Sequence, residues 1–277
     1  MGKYSKYGKY VRYCILFCII IVASASYVLM KPSHSMCILL TTTVNVDKGI
    51  HNTKLQKNES NYRLKQYLDV IDRYLNNSTL PLYVVESSGY DFPEYKNNPR
   101  VNIFSYNLNI VFNGYSTKSP MEAMSIVKAY NYFGLNKYNH IIKITGKYYI
   151  PKIDYHLSKV DKNVHYIIQN TEHKPNTPYL KSYTEILGFK SDKIQLFYDL
   201  TDMYYNNNTI EYKTMQFKQY LKNSCTTVQR SIVIEPYFTY ILNNTDEKYI
   251  YQLPKLKLDK EVERGCVNCS RNKITHL

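Results

Sequence analysis

Residues Cys37 to Val46 read CILLTTTVNV, an uncharged apolar run that closes on threonine and asparagine. Its length and composition fit a strand buried on both faces, the kind found inside a parallel sheet. Downstream, Leu64, Leu68, Ile71 and Leu75 recur at helical spacing, which predicts a helix from about Asn61 to Leu75. Leu82 to Glu86 (LYVVE) reads as a second strand, closed by Ser87-Ser88-Gly89, and Val101 to Tyr106 (VNIFSY) as a third. Ser119-Pro120-Met121-Glu122 has the form of a capping box with proline at the first helical position, and Gly134 stands where a C-terminal glycine belongs. Ala123, Val127 and Tyr130 share one face between those marks. Asn139 to Ile150 (NHIIKITGKYYI) reads as a strand interrupted by Gly146, and His165 to Gln169 as another. Thr177-Pro178 opens a predicted helix that runs to Gly188. Further helical patterns lie around Ile194 to Thr201 and Tyr212 to Leu221, with a late strand at Ser231 to Glu235. Alternating short strands and helices predict an α/β fold with a mainly parallel central sheet, whose ligands bind beyond the carboxyl ends of the strands.

Upstream of the first strand the composition changes. Residues 1–12 carry Lys3, Lys6, Lys9 and Arg12 and no acid, and Tyr13 to Met30 is an uncharged stretch of 18 residues. That length reaches a membrane span, and the charge before it favours a cytoplasmic N-terminus. A cleaved signal peptide is the competing reading, because Ala23-Ser24-Ala25 has the form of a cleavage site. The chain stays apolar through Tyr27-Val28-Leu29-Met30, which favours an uncleaved anchor. The expected organisation is a tail (1–12), an anchor (13–30), a short stem (31–36) and a domain (37–277). Such an organisation is that expected of a single-pass type II protein of a Golgi- or ER-type membrane, with its domain lumenal or extracellular.

Asn-x-Ser/Thr sequons at Asn58, Asn76, Asn77, Asn207, Asn243 and Asn268 all lie beyond the span, as lumenal glycosylation requires. So rich a supply of Asn also produces sequons by chance. Cys14 and Cys18 belong to the span; Cys37 opens the first strand as a buried thiol. Cys225, Cys266 and Cys269 are disulfide candidates in an oxidising compartment, with Cys225 expected to pair with Cys266 or Cys269. Five of the 36 basic residues and none of the 22 acidic ones lie at or before Lys31, which leaves the domain 31 against 22, a net +9. Such an excess suits anionic partners, and the compartment disfavours nucleic acid among them.

Thr41-Thr42-Thr43-Val44-Asn45 ends the first strand, and Thr42 and Thr43 are candidates to hold a nucleoside; threonine is also simply a good strand residue. In Lys143-Ile144-Thr145-Gly146-Lys147, alternation places Lys143, Thr145 and Lys147 on one face. Gly146 suggests a bulge or a close approach of ligand to backbone. Two lysines there could neutralise a diphosphate, or simply face solvent. Glu185 falls in the last turn of the predicted helix, where a carboxylate opposes the dipole. There is no Asp-x-Asp, Gly-x-Gly-x-x-Gly, Walker loop, Gly-x-Ser-x-Gly or His-Glu-x-x-His, and the seven histidines lack metal-ligand spacing. Zinc and serine hydrolases therefore have no support in the sequence.

The segments ILLTTTVN, LYVVESSG, KSPMEA, KITGKYYIP, TEILGF and LPKLKLDKEVERG, together with Arg63, resemble the nucleotide-diphospho-sugar transferase (GT-A-type glycosyltransferase) superfamily. Within it the chain is similar to a poorly characterised group from bacteria, algae and giant viruses. KITGKYYIP and TEILGF are the most specific, and the resemblance runs from Cys37 to the C-terminus. It implies a GT-A-like sheet and a nucleotide-sugar donor bound by Thr42, Thr43 and Arg63. It also implies that the Lys143–Lys147 segment lies where such enzymes hold their metal. Without Asp-x-Asp, no metal or other cofactor is expected from the sequence, although a divalent ion is not excluded. Lys143, Thr145 and Lys147 would then supply the positive charge and hydrogen bonds that the leaving diphosphate requires. Glu185 would sit on the acceptor side as a general base toward a glycan, protein or lipid hydroxyl. Two other classes fit the same residues: a non-catalytic membrane glycoprotein on this fold, and a basic surface protein that binds anionic polymers by charge.

Overall fold

Strand β1 (Met36–Thr42) forms from the apolar run and is buried along its whole length. It belongs to a seven-stranded sheet in the order β3-β2-β1-β4-β6-β5-β7. Its companions are β2 (Leu82–Glu86), β3 (Val101–Ser105), β4 (His140–Thr145), β5 (Tyr166–Ile168), β6 (Ile186–Lys190) and β7 (Ile250–Gln252). This computed structural model describes residues 13–19, 35–45, 57–107, 118–169, 184–205, 234–254, 257–264 and 272–276. β1 pairs in parallel with both β2 and β4, and β2 does so with β3. β6 is antiparallel to β4 and β5, and β5 is parallel to β7, so β6 alone runs against the rest. The mainly parallel α/β sheet expected from the sequence is the one observed.

Strand alternation divides the core between two faces. Ile38, Leu40, Val84, Ile142 and Ile144 pack with Tyr67, Val70, Ile71 and Tyr74 of helix α1 (Lys57–Asn77). Cys37, Leu39, Val85 and Ile141 face the other way. There they meet Ala123, Ile126 and Val127 of α2 (Lys118–Phe133), Phe197 and Leu200 of α4 (Gln195–Tyr205), and Phe238 and Leu242 of α5 (Ile234–Asn243). A one-turn helix, α3 (Ile153–Leu157), follows β4, and a two-stranded antiparallel ribbon, β8 (Lys257–Arg264) and β9 (Asn272–His276), lies near the C-terminus. Gly134 ends α2 at φ 59°, as its place in the sequence predicts.

Three predicted elements differ. The helix expected from Thr177 to Gly188 does not reach Gly188: residues 186–190 are β6, and the expected start lies outside the described residues. Gly188 is there for packing, since an added Cβ would lie 2.7 Å from Cβ of Ile167 and 3.0 Å from Cδ1 of Ile142. Of the strand expected at Ser231 to Glu235, residues 231–233 lie outside the described residues, and Ile234 and Glu235 instead begin α5, where Ile234, Tyr237, Phe238 and Leu242 fall on one buried stripe. Pro236 is tolerated because the first helical turn leaves its N–H groups unpaired anyway. β4 ends at Thr145, and Gly146 and Lys147 form a turn instead of continuing the strand.

Of the expected anchor, residues 13–19 form an exposed helical stretch; the tail and the remainder of the anchor lie outside the described residues. No helix among the described residues is long and apolar enough to cross a membrane. Cys225, Cys266, Cys269, Asn207, Asn268 and the predicted helix at Tyr212 to Leu221 also lie outside them. The described cysteines are free thiols, with Cys14 and Cys18 exposed and Cys37 buried. Asn58 falls within α1. Asn76 and Asn77 end that helix exposed, and Asn243 is half-buried at the end of α5.

Candidate functional site

β1 is the strand at which the chain reverses its direction of winding, with β2 and β3 on one side and β4 on the other. Crevices at such a reversal, outside the carboxyl ends of the strands, are where open α/β sheets place ligands. The ends of β1, β2 and β4 carry the polar residues of this fold, in two connected groups.

The first group surrounds Lys143. Because Ile141, Lys143 and Thr145 alternate with Ile142 and Ile144, Lys143 and Thr145 share one face, as alternation predicts, and that face is the one turned toward α2. Lys143 is 0% exposed, so the solvent-facing alternative does not hold for it. Its ammonium forms an ion pair with Glu122 of α2 and donates to the carbonyl of Thr184 and, at 3.1 Å, to Oγ1 of Thr145. Oε1 of Glu122 also accepts from Thr41 at 3.1 Å and Thr145 at 3.4 Å. Glu122, read from the sequence as half of a capping box, thus joins β1, β4 and α2. Across Thr184, whose hydroxyl donates to Glu235 at 3.3 Å, the group continues to the first turn of α5. Burial pushes the Glu235 carboxyl above its ordinary value of 4.5; Glu122 and Glu185 push it the same way and Lys143 opposes them.

Glu185 is not at a helix end. It sits in the bend that leads into β6, its carbonyl accepting from the amide of Thr145 at 2.8 Å. Its predicted conflict with a helix dipole therefore does not exist, yet the antiparallel pairing of β6 with β4 brings it to the same group.

The second group surrounds the turn after β1. Thr42 is buried and its hydroxyl is bonded to the carbonyl of Val85 at 3.1 Å, so it packs the sheet instead of facing the crevice. Thr43 is half-buried, its hydroxyl 2.7 Å from that of Ser87. The Tyr67 hydroxyl bridges the amide and carbonyl of Thr43 at 3.4 and 3.3 Å. Burial pushes that phenol upward, and Arg63, hydrogen-bonded to it from the preceding turn of α1, pulls it down. Arg63 is thereby brought to the end of β1.

Gly146 explains how the two groups meet. Its amide donates to the carbonyl of Thr41 at 2.9 Å, and an added Cβ would lie 2.5 Å from Cγ2 of Thr42 and 3.2 Å from Tyr67. The close approach anticipated at this glycine is to the protein's own strand β1. Lys147 follows, half-buried, with its ammonium 5.5 Å from the ring centre of Tyr148.

Among the described residues, no group of three or more His, Cys, Asp or Glu is arranged to hold a metal ion. The side chains at the end of β4 are Lys143, Thr145 and Lys147, a cationic and hydroxylic set that does not fit a divalent ion. At the opposite end of the sheet, Asp161, His165, Lys190, Lys248 and Tyr249 line an open hollow of about 570 Å³. Its lysines already face Asp192 and Asp246 at 3.5 and 2.8 Å, so it offers little net charge to a ligand.

Tyr67, Thr184, Glu235 and Glu86 were not singled out by sequence reasoning, and Glu122 was read only as half of a capping box. For Glu86 a signal existed, an acid closing an otherwise apolar strand; for Glu235 the surrounding apolar residues suggested a strand and hid it.

No protein-family model matches the chain, and no curated protein matches it. Among solved structures, it is similar to a glycosyltransferase involved in glycosylation of the major capsid of PBCV-1, at 11% identity and a TM-score of 0.35, covering 69% of this chain and 78% of that one. It is also similar to the galactosyltransferase LgtC, solved with donor and acceptor sugar analogs, at 8% identity and a TM-score of 0.38, covering 78% of this chain and 73% of that one. At such identities and scores, neither residue roles nor activity carry over to this chain.

Proposed function

We propose that this protein is a membrane-anchored glycosyltransferase that moves a sugar from a nucleotide-sugar donor to a hydroxyl of a glycan, protein or lipid. The observation that carries the reading is the convergence of Thr41, Thr43, Glu122, Lys143, Thr145 and Glu235 at the carboxyl ends of β1 and β4, beside the switch point. The family resemblance of KITGKYYIP and TEILGF, which contribute Lys143, Thr145 and Thr184 to this group, supports it. On this reading the nucleoside lies against the turn after β1. The diphosphate lies toward the half-buried Lys147 and Arg63, because the ammonium of Lys143 already has three partners inside the protein. Lys143 then acts by holding Glu122, Thr145 and Thr184 in place.

In transfer, the acceptor oxygen attacks the anomeric carbon and gives up its proton to a carboxylate. The bond to the diphosphate breaks, leaving its electron pair on the phosphate oxygen. Glu185 is the expected proton acceptor, and Glu235 is a second carboxylate within the group. A carboxyl raised toward the working pH makes the stronger base. Tyr13 to Met30 would hold the domain on a Golgi- or ER-type membrane, with Asn58 and Asn207 as glycosylation sites.

The test is calorimetric titration of ADP, CDP, GDP and UDP into the full chain in detergent, with chelator and with manganese. At least one nucleotide should bind in chelator. Lys147→Ala should weaken it by roughly ten- to a hundredfold, the value of one charge-assisted hydrogen bond, whereas Glu185→Gln should leave binding intact and reduce transfer. Binding that requires manganese would replace the lysine reading with a metal site, and no binding at all would remove the donor.

A further inference from the structure

Glu86 ends β2 with a carboxylate that is 0% exposed. Four donors surround it. Oε1 accepts from the amide of Val44 at 2.8 Å and the hydroxyl of Ser88 at 2.5 Å. Oε2 accepts from the amides of Ser88 and Tyr90, each at 2.8 Å. A carboxylate offers about four acceptor positions, and each oxygen here takes two donors. The donors belong to two different loops, one after β1 and one after β2. Ser88 extends the link, since its hydroxyl also accepts from the amide of Asn45 at 2.8 Å.

A sheet of this kind gains nothing from a carboxylate at a fully buried position, because an apolar side chain of similar size avoids the desolvation cost. What Glu86 adds is a fixed geometry for the turn 43–45. It also turns inward the amide of Val44, its partner Ser88 turns inward that of Asn45, and Tyr67 occupies that of Thr43. This turn therefore cannot offer a concave set of N–H groups to a phosphate. Its half-buried side chains, Thr43 beside Ser87 and Asn45 beside the carbonyl of Ser88, are neutral, which suits a nucleoside.

We infer that Glu86 is a positioning residue for the nucleoside half of the donor, acting through Val44 and Ser88 without touching the ligand, and that the diphosphate is held independently at the end of β4. The inference rests on the proposed function. It is tested on the full chain in detergent by titrating ADP, CDP, GDP, UDP and inorganic pyrophosphate into wild type, Ser88→Ala and Glu86→Gln. Ser88→Ala removes one donor to Glu86 and keeps the protein measurable if Glu86→Gln does not fold. In Ser88→Ala, affinity for the preferred nucleotide should fall by about tenfold, the loss of roughly one hydrogen bond. Pyrophosphate affinity should stay within about twofold of wild type, and donor hydrolysis should show a raised KM at unchanged kcat. Glu86→Gln, where it folds, should lose more, because an amide N–H would face the amide and hydroxyl donors. Nucleotide affinity unchanged in Ser88→Ala, or pyrophosphate affinity falling in step with it, overturns the inference. A wild type that binds pyrophosphate but no nucleotide removes the proposed donor and this inference together.

Discussion

Lys143 directs all three ammonium hydrogens into the protein, toward Glu122, Thr145 and Thr184. Removing one partner of a buried pair leaves the other charged and poorly solvated, which is the costly way to break it. Lys143→Met should therefore destabilise by on the order of 2–3 kcal/mol, less than a fully enclosed pair because Glu122 is partly open to water. The double variant Lys143→Met/Glu122→Gln should recover part of that loss. Urea melts of the two single variants and the double variant measure the coupling; losses that simply add would mean the ion pair contributes nothing. Glu235 gives a second residue-level outcome. Its carboxyl is raised in the folded protein, so the folded state holds the proton more tightly than the unfolded one. That stabilisation is present below the ordinary glutamate value and is lost as pH rises through the raised one. Glu235→Gln should flatten the decline of Tm across that window, from about 4.5 upward. A wild type and a variant with parallel Tm profiles would show that Glu235 titrates normally.

At the scale of elements, β6 matters most for the site. It runs antiparallel between β4 and β5, and so delivers Thr184 and Glu185 to the carboxyl end of β4. Its insertion depends on Gly188, which lies between Ile142 and Ile167 with no room for a Cβ. Gly188→Ala should cost about 1–3 kcal/mol by overpacking. Part of the cost should return in Gly188→Ala/Ile167→Val, which removes the Cδ1 found 2.9 Å from the added methyl. Thermal or urea denaturation checks both; a neutral Gly188→Ala would mean that β6 shifts freely. The sequence could not show this. Thr177-Pro178 is a helix-start signal and Gly188 stands where a C-terminal glycine would, so the stretch locally resembles a capped helix, and only long-range packing makes Gly188 a strand residue.

For the whole molecule, the described contacts reach back to Ser35, just before β1. Oγ of Ser35 donates to Oδ1 of Asn139 at 2.9 Å, and the carbonyl of Ser35 accepts the Asn139 amide at 2.9 Å, tying the start of β1 to that of β4. A chain that starts at Lys31 keeps these contacts and should unfold with the same midpoint as the full chain. Expressed in eukaryotic cells, the full chain should pellet with membranes and resist carbonate extraction, as an anchor at Tyr13 to Met30 requires. Full-length protein found in the soluble fraction would count against the anchor.

The sequence by itself determined the strands β1, β2 and β4, the helices α1 and α2 and hence the α/β class, because apolar periodicity and end signals are local properties of the chain. It also indicated that Lys143 and Thr145 share a face, since strand alternation is fixed by backbone geometry. Tertiary structure decided the chemistry of those positions. Lys143 is a charge neutralised inside the fold because α2 places Glu122 over it. Thr42 packs because Val85 accepts its hydroxyl, and Thr43 is held half-buried beside Ser87. Gly146 serves the approach of β4 to β1, and Glu86 orders two loops. Each of these depends on partners more than 20 residues away or in another element, and a charge or glycine in the sequence carries no mark of which partner the fold will bring to it.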